Sequence, residues 1–305
     1  MPDVAQTLRE IAADKAKKRP ELVDYITEDA PILDVLKWIP ASHGLWNVEE
    51  VMSEVTGPQF VDLDSPLPDM HVSTGLTQTY VQVLGGKMSV GEDKAAQFGG
   101  HASYFARREG KILRKAGMDT EVAIFRDFWR KAAIKKKAFT SAGGTGSNLS
   151  TIIVAKFDEL NTGIYDPKQF DSGRLISWAP VNGGALHDIG GGVLGYATRA
   201  KGRFGWQLLA PEKNLHAIVN IDIANAKLPT LEQLQEAIDK VRGKPNNTMI
   251  LGHYSVLRHI FSALKMDKVQ YANADSSIKT LVGDLDGIKL VGSYNVSDRN
   301  ESAVA

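Results

Sequence analysis

The chain has 305 residues, of which 43% are apolar and 24% charged, a composition typical of a folded protein with a sizeable core in one elaborated domain or two modest ones. Its 36 basic residues balance its 36 acidic residues, which excludes an overall positive field that would draw it onto nucleic acid or anionic lipid. Cysteine is absent, which excludes disulfides, thiolate metal sites and a cysteine nucleophile.

The N-terminal segment, residues 1 to about 40, is charged throughout and lacks the apolar core of a signal peptide. No apolar run approaches the ~20 residues that a membrane span needs, so we expect a soluble protein made inside the cell. Val4, Leu8 and Ile11 form an apolar stripe at helical spacing, and the prolines that follow divide the segment into short helices. Helices this short need a surface to lie on.

The next segment, from about 41 to 91, has an extended pattern. In "TQTYVQVL" (77–84), β-favouring residues alternate with a period of two. The proline-containing stretch "GPQFVDLDSPLPDM" predicts a bend, so we interpret the segment as a long two-stranded excursion. Two interpretations stay open: a hairpin that projects, with Phe60 and Met70 unprotected at its tip, or an edge hairpin folded onto its own core.

Residues 92 to 117 and 119 to 138 have the strongest helical pattern. The sequence predicts that the second helix begins at Asp119 or Thr120, with Glu121 in its first turn. A lysine run, "KKK" at 135–137, lies at the C-terminal end of this helix. Contact with phosphate and an ordinary solvated helix end both remain open for this run.

Beyond residue 149 the pattern alternates strand and turn, which predicts a mixed α+β body. Asn182-Gly183 has the sequence of a hairpin turn. A helix is predicted to begin at Thr230, which forms a capping box with Gln233. "YSVLRHIFSALKM" predicts a further helix, and the C-terminal residues predict strands around Asp286-Gly287.

The glycine-rich stretch Gly143–Ser147 does not match a phosphate-binding loop. It lacks the required lysine, and the order helix, glycines, strand is the reverse of a dinucleotide-binding turn. We interpret Gly143 as a left-handed helix cap and the glycines as a joint. The histidines show no metal-ligand spacing and there is no nucleophile elbow, so the sequence predicts no catalytic, cofactor-binding or metal-binding residues.

Three passages together carry a family resemblance. They are "GEDKAAQFGGHASYFARREGKILRKAG", "FTSAGGTGSNLSTIIVAKFDELNTGIYDP" and "LDGIKLVGSYNVSDRNESAVA". They resemble the major capsid proteins of tailed bacteriophages, in particular the short-tailed-phage branch of the Hong Kong 97 type. In the ending, the residues that follow the family order are Gly287, Ile288, Leu290, Asp298 and Glu301, whereas Lys289 stands where the family has proline.

The resemblance implies the α+β Hong Kong 97-like capsid fold, with the N-terminal arm and the E-loop as intersubunit devices that find their burial partners on neighbouring subunits. The implied regions are an N-terminal arm (1–40), an extended E-loop (41–91), the spine helix and peripheral domain (92–149), a mainly axial domain (150–270) and C-terminal strands returning to the peripheral domain (271–305).

The implied function is structural, without catalysis: self-assembly into pentamers and hexamers of an icosahedral phage head that encloses double-stranded DNA. The implied partners are further copies of the chain, scaffolding and portal proteins, a decoration protein, and non-specific contact with packaged DNA. The implied location is the virion, with assembly in the host bacterial cytoplasm. The alternatives are an encapsulin-like compartment of the same fold and a nucleotide-handling enzyme that uses the Gly143–Ser147 loop.

Overall fold

The computed structural model describes residues 5–15, 18–63, 66–172, 174–264, 281–296 and 298–304. The strands, in chain order, are β1 (Gln6–Thr7), β2 (Lys37–Pro40), β3 (Trp46–Thr56), β4 (His71–Tyr80), β5 (Gln82–Gly91), β6 (Phe139–Ser141), β7 (Ser150–Lys156), β8 (Asn161–Tyr165), β9 (Ser177–Pro180), β10 (His187–Asp188), β11 (Leu194–Leu208), β12 (Leu215–Ile221), β13 (Thr248–His253), β14 (Leu281–Leu285) and β15 (Ile288–Ser293).

Short and long helices lie between these strands. They are α1 (Leu8–Asp14), α2 (Glu21–Thr27), α3 (Pro31–Val35), α4 (Glu92–Gln97), α5 (His101–Val122), which continues through a π-helix (Ala123–Arg130) into α6 (Lys131–Lys135), then α7 (Pro211–Asn214), α8 (Leu231–Lys240) and α9 (Tyr254–Leu264), with 3-10 turns at Pro167–Ser172 and Val181–Gly184.

The first sheet is built around β11. One edge of β11 pairs antiparallel with β5, from Gly195 opposite Gly91 to Phe204 opposite Gln82. The other edge is shared by β8, β9 and β10, and β1 and β2 extend the sheet beyond β8. The hairpin predicted at Asn182-Gly183 is wrong. Both residues have positive φ, as a tight turn requires, but β9 and β10 on either side pair with β11 instead of with each other.

The second sheet has the order β14-β15-β13-β7-β12-β6. Its central strands β13, β7 and β12 are buried over almost their whole length because apolar layers cover both faces. Along β7, Ile153 packs in the core shared with the N-terminal helices, while Ile152 and Val154 pack in the core beneath α8 and α9. The predicted capping box at Thr230 is confirmed: its side chain accepts from the Gln233 backbone N–H, and the Gln233 side chain accepts from the Thr230 backbone N–H.

The helix predicted to begin at Asp119 or Thr120 does not begin there. A single helical rod runs from His101 to Lys135, and Gly117 lies inside it. Glycine is unfavourable within a helix, which is why the sequence suggested a break. The structure shows what the glycine permits. A Cβ built at Gly117 would overlap the carbonyl oxygen of Ile26 and would lie 2.8 Å from its carbonyl carbon. Only glycine therefore lets α2 approach the long helix this closely.

The N-terminal segment packs against its own chain. Ile11, Leu22, Ile26 and Ile32 are fully or almost fully buried in the main core, which also contains Trp129 of the long helix. The expectation that this arm finds its burial partner on a neighbouring subunit is therefore wrong for these described residues. The reason is the close contact at Gly117, which gives the short helices a surface on the long helix. Val4, which belongs to the predicted apolar stripe, lies outside the described residues.

We predict that Gly117→Ala destabilises the purified protein by about 2 kcal/mol or more, because the added methyl overlaps the Ile26 carbonyl group. Gly110→Ala is the matched control on the same helix. Its added Cβ would meet the Tyr25 ring at an ordinary 3.4 Å, so the helix-favouring alanine should be neutral or slightly stabilising. Urea unfolding midpoints measure both, and an unchanged midpoint for Gly117→Ala would contradict the close packing of α2.

Candidate interaction surface

The Gly143–Ser147 loop lies between β6 and β7, so Gly143 is not a helix cap as predicted. The helix ends earlier, and Lys137 takes the left-handed conformation after it, at φ 55°. Gly143 has a φ of 86°, as expected of a turn glycine. The Gly144 N–H donates to the Asn220 carbonyl at 2.9 Å, and a Cβ at Gly144 would lie 2.5 Å from that oxygen. Gly144 is therefore tightly packed, whereas the other residues of the loop, from 143 to 147, are exposed.

The C-terminal residues cover this joint. The Ala303 N–H donates to the Gly146 carbonyl at 2.9 Å, and the Asn220 side chain bonds both the N–H and the carbonyl of Val304. Buried Glu301 accepts from Thr151 and forms an ion pair with Arg130 at 3.0 Å. A phosphate would bind backbone N–H groups of the loop. Those of Gly143 and Gly144 already donate to acceptors within the chain.

A serine, a histidine and an aspartate meet at the start of α9, but not as a nucleophile triad. A triad places the imidazole between carboxylate and hydroxyl, with one ring nitrogen facing each. Here the Ser255 hydroxyl donates to Asp298 Oδ1 at 3.1 Å, and the Ser255 N–H donates to His253 Nδ1 at 3.2 Å. The same ring nitrogen of His253, Nδ1, also lies 2.9 Å from the Ser255 hydroxyl and 3.7 Å from Asp298 Oδ2, so the cluster fastens the C-terminal residues to α9.

Two sequence expectations concern ligands. His216 is buried in β12, with Nε2 2.8 Å from the Thr140 hydroxyl. Within the described ranges no group of three metal-ligating side chains occurs, and no helix there is long and apolar enough to cross a membrane. The lysine run at 135–137 is exposed, and Lys136 Nζ lies 4.0 Å from Glu212.

Glu121 is the titratable side chain whose position in the structure differs most from the sequence prediction. Instead of capping a first turn, it is completely buried in the middle of the long helix. Its carboxylate accepts from the Ile32 N–H at 2.6 Å, the Ser293 hydroxyl at 2.7 Å and the Asn295 side chain at 2.5 Å. Burial raises its pKa from an ordinary 4.5 to about 7, against the opposing effect of these hydrogen bonds. Glu121 therefore joins the helix to both ends of the chain.

The sequence held a signal for this burial. Leu113, Gly117, Glu121 and Phe125 follow one another at a spacing of four, which places them on one helix face. The other three are buried, so the glutamate had to be buried with them.

Within the described ranges, the most exposed apolar side chains lie on β3, on β4 and on the loop between them, which together we call the ribbon (residues 46–80). Its strands pair from Trp46 opposite Tyr80 to Thr56 opposite His71. The interpretation of a projecting hairpin is correct, because Phe60 is 110% exposed and Met70 68% exposed at its end. The two-stranded part is shorter than expected, since β5 leaves the ribbon at Gln82 and pairs with β11.

The two faces of the ribbon differ in chemistry. Residues opposite each other in the register share a face, and successive residues alternate between faces. One side, which we call the apolar face, also includes Glu50, Thr74 and Gln78. Its apolar members are Trp46, Val48, Met52, Val55, Val72, Leu76 and Tyr80. The other side, which we call the polar face, consists of Asn47, Glu49, Val51, Glu54, Thr56, His71, Ser73, Gly75, Thr77 and Thr79.

A β-bulge preserves this division. The register runs from Met52 opposite Thr74 directly to Glu54 opposite Ser73, so the intervening residue is extra. Without the bulge, simple alternation would place Glu54 on the apolar face and Val55 on the polar face. The bulge is the reason that the sequence pattern of β3 did not reveal an amphipathic strand.

The apolar face is open. Met52, Val55, Val72 and Leu76 are each more than half exposed, and Leu76 reaches 77%. A sheet normally buries its apolar face against another layer, and monomeric proteins rarely leave such a continuous patch exposed. The ribbon is also acidic: the sequence from 41 to 86 contains no lysine or arginine but six acidic residues, namely Glu49, Glu50, Glu54, Asp62, Asp64 and Asp69.

Comparison with known proteins identifies the architecture. No protein-family model and no curated protein matches the sequence. Among solved structures, a chain of bacteriophage Epsilon15 is 14% identical, with a TM-score of 0.52 and 88% of each chain covered. A chain of the bacteriophage JBD30 capsid is 10% identical, with a TM-score of 0.51, over 85% of this chain and 88% of that one.

A further match is to the JBD30 capsid decorated with minor capsid protein trimers, with a TM-score of 0.50 and 10% identity, covering 87% of this chain and 90% of that one. Likeness at these identities establishes the fold. The architecture is α+β, as expected, and is that of bacteriophage capsid chains.

We predict that Glu121 makes stability fall as pH rises. Its folded pKa of about 7 lies above the unfolded value near 4.5, so between these values the folded chain binds a proton that the unfolded chain has lost. The free energy of unfolding should therefore decline from about pH 5 to 7.5, by up to roughly 3 kcal/mol. In Glu121→Gln this part of the slope should disappear. A wild-type-minus-variant difference that is independent of pH in urea titrations would contradict the assignment.

Proposed function

We propose, on the premise that this chain has the Hong Kong 97-like α+β capsid fold, that it is the structural major capsid protein of a tailed bacteriophage, of the short-tailed-phage branch. Copies of it assemble into pentamers and hexamers of a closed icosahedral head that encloses double-stranded DNA. It acts as a building block, without catalysis.

The observation that carries the proposal is the uncovered apolar face of the ribbon. Burying a large apolar side chain contributes about 1.5–3 kcal/mol, so covering the exposed residues of the face and tip contributes on the order of 10–20 kcal/mol before association costs. The chain does not gain this free energy of burial when it folds alone. A second copy that covers the face recovers it, and repetition of the same contact leads to a ring or shell.

The proposal also assigns roles to the regions. The ribbon is the part of the E-loop that contacts a neighbouring copy. The helix from His101 to Lys135 is the spine helix. The first sheet belongs to the peripheral domain, and the second sheet with α8 and α9 to the axial domain. Because β14 and β15 lie in the second sheet, this assignment differs from the expectation that the C-terminal strands return to the peripheral domain. Because β8 to β11 lie in the first sheet, only part of the 150–270 region shares a layer with α8 and α9. The boundary at 270 lies outside the described residues.

The partners follow from the same role. Further copies of the chain are the main partner, with scaffolding and portal proteins during assembly. One matched capsid carries minor capsid protein trimers, which supports the expectation of a decoration protein here. Assembly would take place in the host bacterial cytoplasm, with non-specific contact between the shell and packaged DNA.

We predict that the purified chain, alone or with its scaffolding partner, forms shells or capsomers visible by electron microscopy, because the apolar face favours association at high concentration. Native particles should protect DNA from added nuclease. Particles that contain a protein cargo and no DNA would instead favour the encapsulin-like alternative. A chain that stays monomeric under all assembly conditions would refute both.

The enzyme alternative has a separate test. Alanine at Gly144 would disturb the joint itself, so loss of binding in such a variant carries no information about a ligand. Calorimetry with ATP and GTP on the unmutated protein is the informative measurement. We expect no binding heat. Micromolar binding would support the nucleotide-handling alternative.

We predict that Leu76→Gln raises the protein concentration needed for assembly by roughly 10- to 30-fold, because about 2 kcal/mol of apolar burial is lost at each contact. Thr77→Gln, the neighbouring residue on the polar face, is the matched control and should assemble normally. Both positions are exposed, so neither variant should change the urea midpoint of the unassembled protein. Equal effects of the two substitutions in light-scattering assays would contradict the role of the apolar face.

A further inference from the structure

The face of the first sheet that points away from the long helix is basic. On β11, Arg199, Lys201 and Arg203 are two residues apart, so they share one face of the strand. Ala200, between them, belongs to the opposite face and lines a groove together with Leu113 of the long helix. No acidic residue occurs in β11 or in β5 and β9, which pair with it here. We call this row of three cations the basic face.

A groove of 250 Å³ adjoins the basic face. Its walls come from the 3-10 turn at Pro167–Ser172, from the segment before β9, and from β9 and β11 themselves. Ser177, which is opposite Lys201 in the register, contributes a hydroxyl. None of the described lining residues is acidic, and four are basic: Lys168, Arg174, Lys201 and Arg203. Cations from separate segments thus converge on one small space, which we call the basic groove.

Arg203 is held in a fixed position in this groove. Its guanidinium donates to the carboxylate of Asp166, which is buried, and its backbone N–H donates to the Gln169 side-chain oxygen at 3.1 Å. Asp166 also accepts from the Lys168 backbone N–H at 2.9 Å. One buried carboxylate therefore orients both Arg203 and the turn that carries Lys168. The remaining guanidinium N–H groups of Arg203 are available to a ligand.

The other cations of the basic groove are not neutralised by the chain. Among the described residues, Lys168, Arg174 and Lys201 form no ion pair, and the groove cation that does form one is Arg203. The long helix differs in this respect, because Lys115 pairs with Asp119 and Lys131 with Asp127. Like charges that converge without counter-charges repel one another, and an anion bound among them is attracted by all of them.

We propose that the basic groove and the basic face bind the phosphate groups of a nucleic-acid backbone. The part of this inference that concerns packaged DNA rests on the proposed function, and it names the side of the chain that contacts the DNA. Arg174 and Arg203 suit a phosphate because a planar guanidinium donates two parallel hydrogen bonds to its oxygens. The balanced charge of the whole chain does not oppose such a contact, since the cations are concentrated on one face.

The dimensions favour a chain of phosphates over a single ion. Alternate residues of a strand are ~6.7 Å apart, so the basic face from Arg199 to Arg203 is ~13 Å long. Two nucleotides of one DNA strand advance the helix axis by ~6.8 Å, which is close to the spacing of the cations. The basic groove is smaller than the ~300 Å³ of the smallest usual ligand pockets, so it suits a phosphate group of a longer molecule.

The first test measures binding of a short, labelled duplex DNA to the unassembled chain by fluorescence anisotropy at several salt concentrations. Lys168→Gln/Lys201→Gln removes two exposed cations and keeps the Arg203–Asp166 pair. We expect the affinity at low salt to fall roughly 10-fold, and the slope of log K against log salt to become shallower by ~2. The urea midpoint should stay unchanged, because both lysines are exposed.

The matched control is Lys135→Gln/Lys136→Gln, which removes the same charge from the lysine run of the long helix. It should bind the duplex like the wild-type chain. Equal losses in the two variants, or no duplex binding by the wild-type chain, would overturn the proposal.

Two further ligands identify the chemistry. Pyrophosphate has the same phosphate groups without a backbone, and labelled poly-glutamate has carboxylates only. We expect the wild-type chain to bind the duplex more tightly than either. Pyrophosphate binding without duplex binding would overturn the nucleic-acid assignment. Poly-glutamate binding as tight as that of the duplex, and equally weakened in Lys168→Gln/Lys201→Gln, would overturn the phosphate assignment in favour of an acidic protein partner.

Native particles test the contact with packaged DNA separately. Acetic anhydride modifies accessible lysines, and mass spectrometry measures the extent at each one. Lys168 and Lys201 should be protected in DNA-filled particles and reactive in particles emptied of DNA. Equal reactivity in shells that do enclose DNA would overturn the inference and leave the capsid role intact. A chain that binds the duplex as expected but forms no shells would overturn the capsid role and leave the phosphate site standing.

Discussion

The exposed apolar face of the ribbon is the constraint on which this account depends. Two antiparallel strands are marginally stable in water, and these two keep their apolar side chains on one side through a β-bulge after Met52. An exposed apolar face of this kind is energetically favourable only if another surface covers it. The ribbon is acidic as well, which makes it soluble before it is covered and selective about what covers it.

The rest of the chain forms the support for this ribbon. The helix from His101 to Lys135 holds the N-terminal helices at Gly117 and the C-terminal residues through Glu121 and the Arg130–Glu301 pair. β5 continues from the ribbon directly into a ten-residue pairing with β11. Both ends of the chain therefore brace the helix, and the ribbon projects from a well-packed body instead of from a loose loop.

Local patterns predicted much of this architecture. The capping box at Thr230, the helix from Tyr254 and the turn at Asp286-Gly287 depend on neighbouring residues, so the sequence showed them. The sequence did not predict the unbroken long helix, because Gly117 is required by its close contact with Ile26, which is distant in sequence. The amphipathic ribbon was missed because one extra residue shifts the alternation in β3.

The most direct test of the central claim is a cryo-electron-microscopy reconstruction of assembled particles at side-chain resolution. The account predicts that Met52, Val55 and Leu76 lie against apolar side chains of another copy. A closed shell in which the apolar face of the ribbon remains open to solvent would contradict it.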